Sequence, residues 1–418
     1  MKRILSILVI IIVLSASSLL ANPVNDTVSM GAGYANDVFY SMQSGVVKTE
    51  PRNNWDIAFY TTRWSAGILL NEGAGAELYT YPLGDTSAWN NVDISGMSGW
   101  AKMYNSDTIW ENGAFNRNSL GHPDYGWGVY NMITHDVVGD SIFVIKLTNG
   151  SLKKLWIQRK RSIQNTWFFK FANIDGSELT SVTLDATPYQ TNRLFIYYSL
   201  VNNTIVDREP ELNSWDLQWS RYIATVYDNT GLPSPYMVVG VTSNLGVGVA
   251  KHHPVGPGFE DWTSKPFVEQ RTSIGHDWKN FNMNLFQWQL TDSLAYFVRA
   301  RNGNIYKLTF TYFSGTSTGR TGLTKKLISL VGQSEQGIGS AFKLFPNPAS
   351  NLINIQLQQG EIGTLHIYDS GGRLMFSHQA NRSAGQSSID VSQWNPGIYI
   401  VEMIGSRGSV RQKFIINR

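Results

Sequence analysis

FYSMQSGVVKTEPRNNWDIAF, residues 39–59, returns in diverged form as YYSLVNNTIVDREPELNSWDLQW, residues 197–219. Each copy opens on aromatic-Tyr-Ser and carries Glu-Pro at its middle. Each closes on Trp-Asp and an apolar residue, first Trp55-Asp56-Ile57 and then Trp215-Asp216-Leu217. A second pair follows in the same order, DSIFVIKLTNGSLKKL (140–155) and DSLAYFVRARNGNIYKL (292–308). Gly150 comes 95 residues after Trp55, and Gly303 comes 88 after Trp215. Two anchors in one order at similar spacing mark a diverged tandem duplication.

Both members of the second pair read as hairpins. Ile142–Thr148 and Leu152–Gln158 flank Asn149-Gly150, while Leu294–Ala300 and Ile305–Phe313 flank Asn302-Gly303. Asn-Gly predicts a type I′ turn, whose twist matches that of the strands it joins. Aromatic residues make up 12% of the chain, charged residues only 16%, and there are 38 glycines, a balance that points to an all-β protein. Leu83–Val138 is too long for a hairpin loop and shows no helical period, so short strands and functional loops are expected there.

Met1-Lys2-Arg3, the apolar run Ile4–Leu14 and the small residues Ser15–Ala21 form a signal-peptide pattern over residues 1–21. No charged stop-transfer flank follows, and no later stretch is long enough to span a membrane. With no cysteine, disulfides, thiolate metal sites and a lipidated N-terminal cysteine are excluded. A net charge of +3 does not favour nucleic acid or a membrane surface as partner. Export to the cell surface or the medium is expected.

Gly- and Ser-rich sequence over 315–340 reads as a linker, and 341–418 as a third β unit. In that tail, FKLFPNPASNLINIQL (342–357), LHIYDSGGRLMF (365–376) and WNPGIYIVEMIGSRGSVRQKFIINR (394–418) closely resemble the type A C-terminal sorting domain of the bacterial type IX secretion system. The resemblance implies an Ig-like β-sandwich read by the export machinery, with Phe345, Pro346, Asn347, Pro348, Gly397 and Tyr399 in its motif. The body, with its two Trp-Asp strands and late Gly-Asn-Ile-Tyr-Lys-Leu hairpin, is similar to the HmuY family of haem-binding surface proteins. That similarity implies two such domains in tandem, 22–171 and 172–314, matching Val28–Phe171 on Thr180–Phe313. No ligand-bearing motif of that family aligns here, so its haem ligands are not carried over.

Haem iron takes axial ligands from His, Met, Tyr or Cys inside an apolar pocket. The sharpest candidate is Lys251-His252-His253-Pro254, set among Gly246, Gly248, Gly256 and Gly258. Adjacent side chains on extended backbone point opposite ways, so His252 and His253 are not expected to share one iron. An exposed polar loop is the plainer reading of that stretch. His122, His135, His276, Met97, Met103, Met132 and Met237 are single candidates elsewhere. Asp56 and Asp216, equivalent in the two copies, read as structural carboxylates that bond a neighbouring loop. Trp89, Trp100, Trp110 and Trp127, among Tyr104, Phe115, Tyr125 and Tyr130, suit either a core or stacking on a sugar or porphyrin. Asp26-Thr27-Val28, Asp107-Thr108-Ile109, Asp140-Ser141-Ile142 and Asp292-Ser293-Leu294 resemble O-glycosylation triplets of bacteria that use this export route. No nucleophile elbow, zinc-protease, P-loop or dinucleotide motif is present. The leading expectation is a non-enzymatic surface protein binding haem, with a carbohydrate-binding or adhesive protein as alternative and a secreted hydrolase third.

Overall fold

The structure is a computed structural model that describes residues 22–228, 230–330, 342–357, 363–370, 372–380, 386–405 and 408–417. The expected signal peptide, 1–21, lies outside the described residues, as does 331–340 of the expected linker. The chain forms two compact units, Met1–Val331 and Gly332–Arg418, and the all-β expectation holds in both.

The body has two principal cores, each between a four-stranded sheet and a larger one. In the first, Ile57, Phe59, Ile68 and Leu70 face Phe143, Ile145, Leu155, Ile157, Trp167 and Phe169. In the second, Val38, Tyr40, Leu217 and Trp219 face Val28, Val249, Tyr296, Val298, Leu308 and Leu323. Strand periodicity makes this possible, since Leu155 and Ile157 point inward while Trp156 between them points the other way. Each large apolar side chain buried this way contributes about 1.5–3 kcal/mol. A third cluster holding Phe39, Trp55, Ala58, Tyr197 and Trp215 joins the outer faces of the two four-stranded sheets.

Those two sheets are built by exchange. Strands Phe195–Ser199 and Thr204–Val206, the opening hairpin of the second copy, extend the sheet of Ile57–Tyr60 and Ile68–Leu70 from the first. Reciprocally, Asn36–Ser41 and Gly45–Pro51 from the first copy extend the sheet of Leu217–Tyr227 and Pro233–Ser243 from the second. The registers pair Tyr197 with Ala58 and Tyr40 with Leu217, all antiparallel. A cut at residue 172 therefore passes through both cores, and sequence-contiguous halves are not separate packing units.

Two local expectations change. The Asn-Gly hairpins are three-residue loops, not type I′ turns: Gly150 donates to Leu147 and Gly303 to Ala300, each at 2.8 Å. Positive φ falls on the glycines, 87° and 82°, and not on Asn149 or Asn302, as a type I turn closed by a left-handed glycine requires. The extra loop residue leaves the N–H of Thr148 or Arg301 free to bond an aspartate. Within the expected linker, Arg320–Ser329 is a strand paired with Val24–Ser29 on one side and Ile305–Phe313 on the other. Its small polar residues hid an alternation in which Thr321 and Leu323 are buried.

The long insert is held as a loop by amide side chains. Asn105 and Asn116 accept the N–H groups of Leu70 and Ile68, satisfying a sheet edge without a strand. Gly113 lies so close that a Cβ there would stand 1.8 Å from the Ile68 carbonyl. The tail is a two-sheet sandwich, with Ile353, Ile355, Ile367, Val401 and Phe414 in its core.

Candidate functional site

Strand Gly248–His252 sorts the expected haem loop by alternation. Lys251 faces an open groove of about 550 Å³ with Asp107, Lys265, Gln270, Ser273 and Asp277. His252 points to the opposite face and is 3% exposed. Its ring lies 5.1 Å from that of Phe259 and 5.2 Å from that of Phe297. Burial, helped by Lys265, holds its pKa below the ordinary histidine value. His253 is exposed. The structure thus separates the two imidazoles: His252 packs against Phe259 and Phe297, and His253 lies in solvent.

A more apolar cavity, similarly open and about 540 Å³, lies beside the hairpin of Lys279–Asn282 and Gln287–Leu290. Phe281 and Trp288 are opposite one another in that hairpin, with rings 5.4 Å apart. They wall the cavity with Tyr34, Tyr236, Met237 and Val239. Trp278 stacks on Phe310 at 3.8 Å beneath, fixing the hairpin base. Lys279 donates to the Val239 carbonyl at 2.6 Å, and its ammonium lies 4.4 Å from the Trp278 ring and 4.7 Å from that of Phe313. Burial pushes its pKa down to about 7. His276 also lines the cavity, its pKa held low by burial and then by Lys279, so the imidazole is neutral and able to bind a metal. Arg221 supplies a further cation, and among the described residues no carboxylate lines the space.

Sequence reading singled out His276 and Met237 separately but missed Lys279, Phe281 and Trp288. The signal was present in KNFNMNLFQWQL, residues 279–290, where aromatics stand at corresponding positions on either side of an Asn-rich turn. The other candidates are spread out. His122 is exposed, and His135 shares a 2.6 Å hydrogen bond with the Tyr130 hydroxyl. Among the described residues, no three His, Asp or Glu side chains gather as a metal site. Trp89, Trp110 and Trp127 are buried, and Trp100 packs on Tyr81 at 5.7 Å, so the aromatic insert is largely consumed by packing. Asp56 and Asp216 bond neighbouring loops. Asp56 accepts from Leu200 and Thr148, and Asp216 from Met42 and Arg301.

In the tail, Phe345, Pro346 and Pro348 are exposed where the first strand ends. The Asn347 side chain accepts from the Ile415 N–H at 2.9 Å and donates to the Lys413 carbonyl at 3.3 Å, tying that exit to the last strand. Gly397 opens the strand Gly397–Gly405. Tyr399 is buried, its ring 5.5 Å from Phe414 and its hydroxyl donating to the Asn395 carbonyl at 2.8 Å.

Residues 343–417 match the family model of the secretion system C-terminal sorting domain. No curated protein matches the chain. One similar solved structure is a DUF3244 family protein with an immunoglobulin-like β-sandwich fold from Bacteroides vulgatus. It has 13% identity and a TM-score of 0.17, covering 19% of this chain and 86% of that one. Another is dimeric latent PorU from Porphyromonas gingivalis, at 11% identity and a TM-score of 0.16, covering 84% of this chain and 31% of that one. The fold of the body rests on its own strand pairing. The chain carries a type IX secretion sorting domain at its C-terminal end and is exported by that route to the cell surface or the medium.

Proposed function

We propose that the body is a non-enzymatic binding module, formed by duplication, whose ligand site is the aromatic cavity beside the Lys279–Leu290 hairpin. The ligand is flat, largely apolar and anionic, and haem is the best-fitting member of that class. The carrying observation is the cavity itself: about 540 Å³, aromatic walls, Arg221 and Lys279 as its basic groups, and His276 as a neutral imidazole. That volume suits a small organic cofactor. Aromatic faces suit a porphyrin, and the cations suit its carboxylates. His276 would supply an imidazole to the iron, with Met237 or Tyr236 as candidate second ligands.

The duplication is supported by matching hydrogen bonds at Asp56 and Asp216 and by the reciprocal hairpins. A carbohydrate reading draws on the adjoining groove, where Asp107, Lys251, Gln270, Ser273 and Asp277 offer hydrogen bonds to hydroxyls. Haem titration followed by absorption separates the two: a saturable Soret shift supports haem, and an unchanged spectrum with a positive glycan array supports the alternative.

A further inference from the structure

Between the two four-stranded sheets lies a second, much smaller recess, about 30 Å³, whose lining includes Asp37, Glu72, Trp55, Arg208, Tyr222 and Arg271. It is separate from the aromatic cavity in size and in chemistry. Three of its lining side chains carry a buried polar atom with no protein partner: Arg208 Nε, Arg271 Nε and Trp55 Nε1. All three can donate a hydrogen bond. Leaving a buried donor unmatched costs on the order of 1–3 kcal/mol, so three in the lining of one recess call for an acceptor within it.

Charge says which acceptor. The Asp37 carboxylate is shared by Arg208, at 2.6 Å, and Arg52, at 3.1 Å, and it also accepts from the Ser220 hydroxyl at 3.0 Å. Arg271 has no such partner. Among the described residues no carboxylate lies within ion-pair distance of it. It donates instead to the Ser106 carbonyl at 2.9 Å and lies over the Trp110 ring at 4.2 Å. Glu72 is nearby, but its oxygens accept the N–H groups of Asn105 and Ile223, each at 3.0 Å. Burial also pushes that carboxyl up to about 7, so at neutral pH it is only about half ionised and balances part of the guanidinium charge. Arg221 adds a third guanidinium to the lining. A buried cation without a counter-ion is strongly disfavoured.

We propose that this recess binds one monatomic anion of the chloride class, held by Arg208 and Arg271 between the two halves of the body. One water accepts only two hydrogen bonds and carries no charge, so it would match neither all the donors nor the guanidinium. The recess, about 30 Å³, has room for only about two water-sized particles, so a single small ion fits it better than a carboxylate, phosphate or sulfate. The bound halide acts as a structural pin where the exchanged sheets meet.

The test uses the mature chain. Its thermal midpoint is measured in sodium chloride and in sodium gluconate at matched ionic strength, and crystals soaked in bromide are examined for anomalous scattering. A hundredfold rise in chloride should raise the midpoint by roughly 5 °C above the gluconate control. Arg271→Met, which removes the charge while keeping much of the volume, should abolish that difference. Bromide should give one anomalous peak within hydrogen-bond reach of Arg208 and Arg271. Equal midpoints in the two salts, or ordinary water density in the bromide crystals, would overturn the proposal. If Arg271→Met fails to fold, the bromide peak in the unmodified chain decides.

Discussion

The Asp56 carboxylate accepts the backbone N–H of Leu200 at 2.8 Å, across 144 residues of sequence. Its counterpart Asp216 accepts the N–H of Met42 at 2.7 Å. Leu200 and Met42 follow the Tyr-Ser of their respective copies, so each aspartate grips the opening hairpin of the other copy. The second oxygen of each reaches the loop of its own copy's late hairpin, at Thr148 from Asp56 and at Arg301 from Asp216. Neighbouring amides match too. Asn71 donates to the carbonyls of Trp55 and Arg52, and Asn244 to those of Trp215 and Leu212, all at 2.7–2.8 Å.

Asp56→Ala should therefore destabilise the body by about 3 kcal/mol or more, because it strands buried N–H groups that Asp56 now satisfies. Asp216→Ala should act comparably. Asp56→Asn should fall between, since one amide oxygen replaces two acceptors. Denaturant midpoints at constant m-value measure this. A loss below about 0.5 kcal/mol for Asp56→Ala, the range of ordinary surface changes, would contradict the bridging role.

Exchange has a consequence for cooperativity. Neither principal core is complete without strands from the other copy, so the body should melt in one calorimetric transition, with the tail sandwich free to melt separately. Asp216→Ala should lower that single transition and not split it. Two body transitions, one for 22–171 and one for 172–314, would restore the picture of beads in tandem.

Much of this was legible in the chain. The strand class, the Trp-Asp pair and the sorting motif were visible because alternation and turn residues act locally. The exchange was not, because Tyr197 pairs with Ala58 by register alone, and no local signal distinguishes a partner in the same copy from one in the other. The strand Arg320–Ser329 was hidden because it buries Thr321 and Lys325 beside Leu323, a weakly apolar face. Lys325 is accommodated by the Tyr40 ring, 4.8 Å away, and no composition rule anticipates that contact. The loop around His252 and His253 drew attention by composition, but alternation spends one imidazole on the core and leaves the other in solvent.

Stability should pass through a minimum near neutral pH. Burial pushes Glu72 and Glu209 up from 4.5 to about 7, so between those values the unfolded chain has released protons that the folded chain retains, and stability falls as pH rises. Burial pushes Lys160 and Lys279 down from 10.5 to about 7, so above that point the unfolded chain holds the extra protons, and stability rises with pH. His252 and His276, both lowered, oppose the acidic limb only between their own values and 6.5. Melting points at constant ionic strength, taken from about pH 5 to about pH 10, should trace a trough of a few degrees. A flat or dome-shaped profile would mean these four groups are hydrated in solution.

Removing Phe342–Arg418 deletes the sorting domain and leaves the body's folding unit intact. The truncated protein should fold but accumulate in the periplasm of its host. Surface labelling and fractionation distinguish the outcomes, and surface exposure of the truncated body would place an export signal within it.

The cavity variants test the ligand reading most directly. His276→Ala removes the neutral imidazole that lines the cavity from a partly buried position. The Soret shift on haem addition should then disappear or move to that of a weaker ligand set. Trp288→Ala opens one wall and should weaken binding by about tenfold or more, the scale of one lost aromatic face. His252→Ala combined with His253→Ala should leave the spectrum unchanged, because neither ring faces the aromatic cavity. The reverse pattern, a shift abolished by the loop pair and untouched by His276→Ala, would return the site to the glycine-rich loop. No shift in the unmodified chain would remove haem and leave the cavity to a different planar anion.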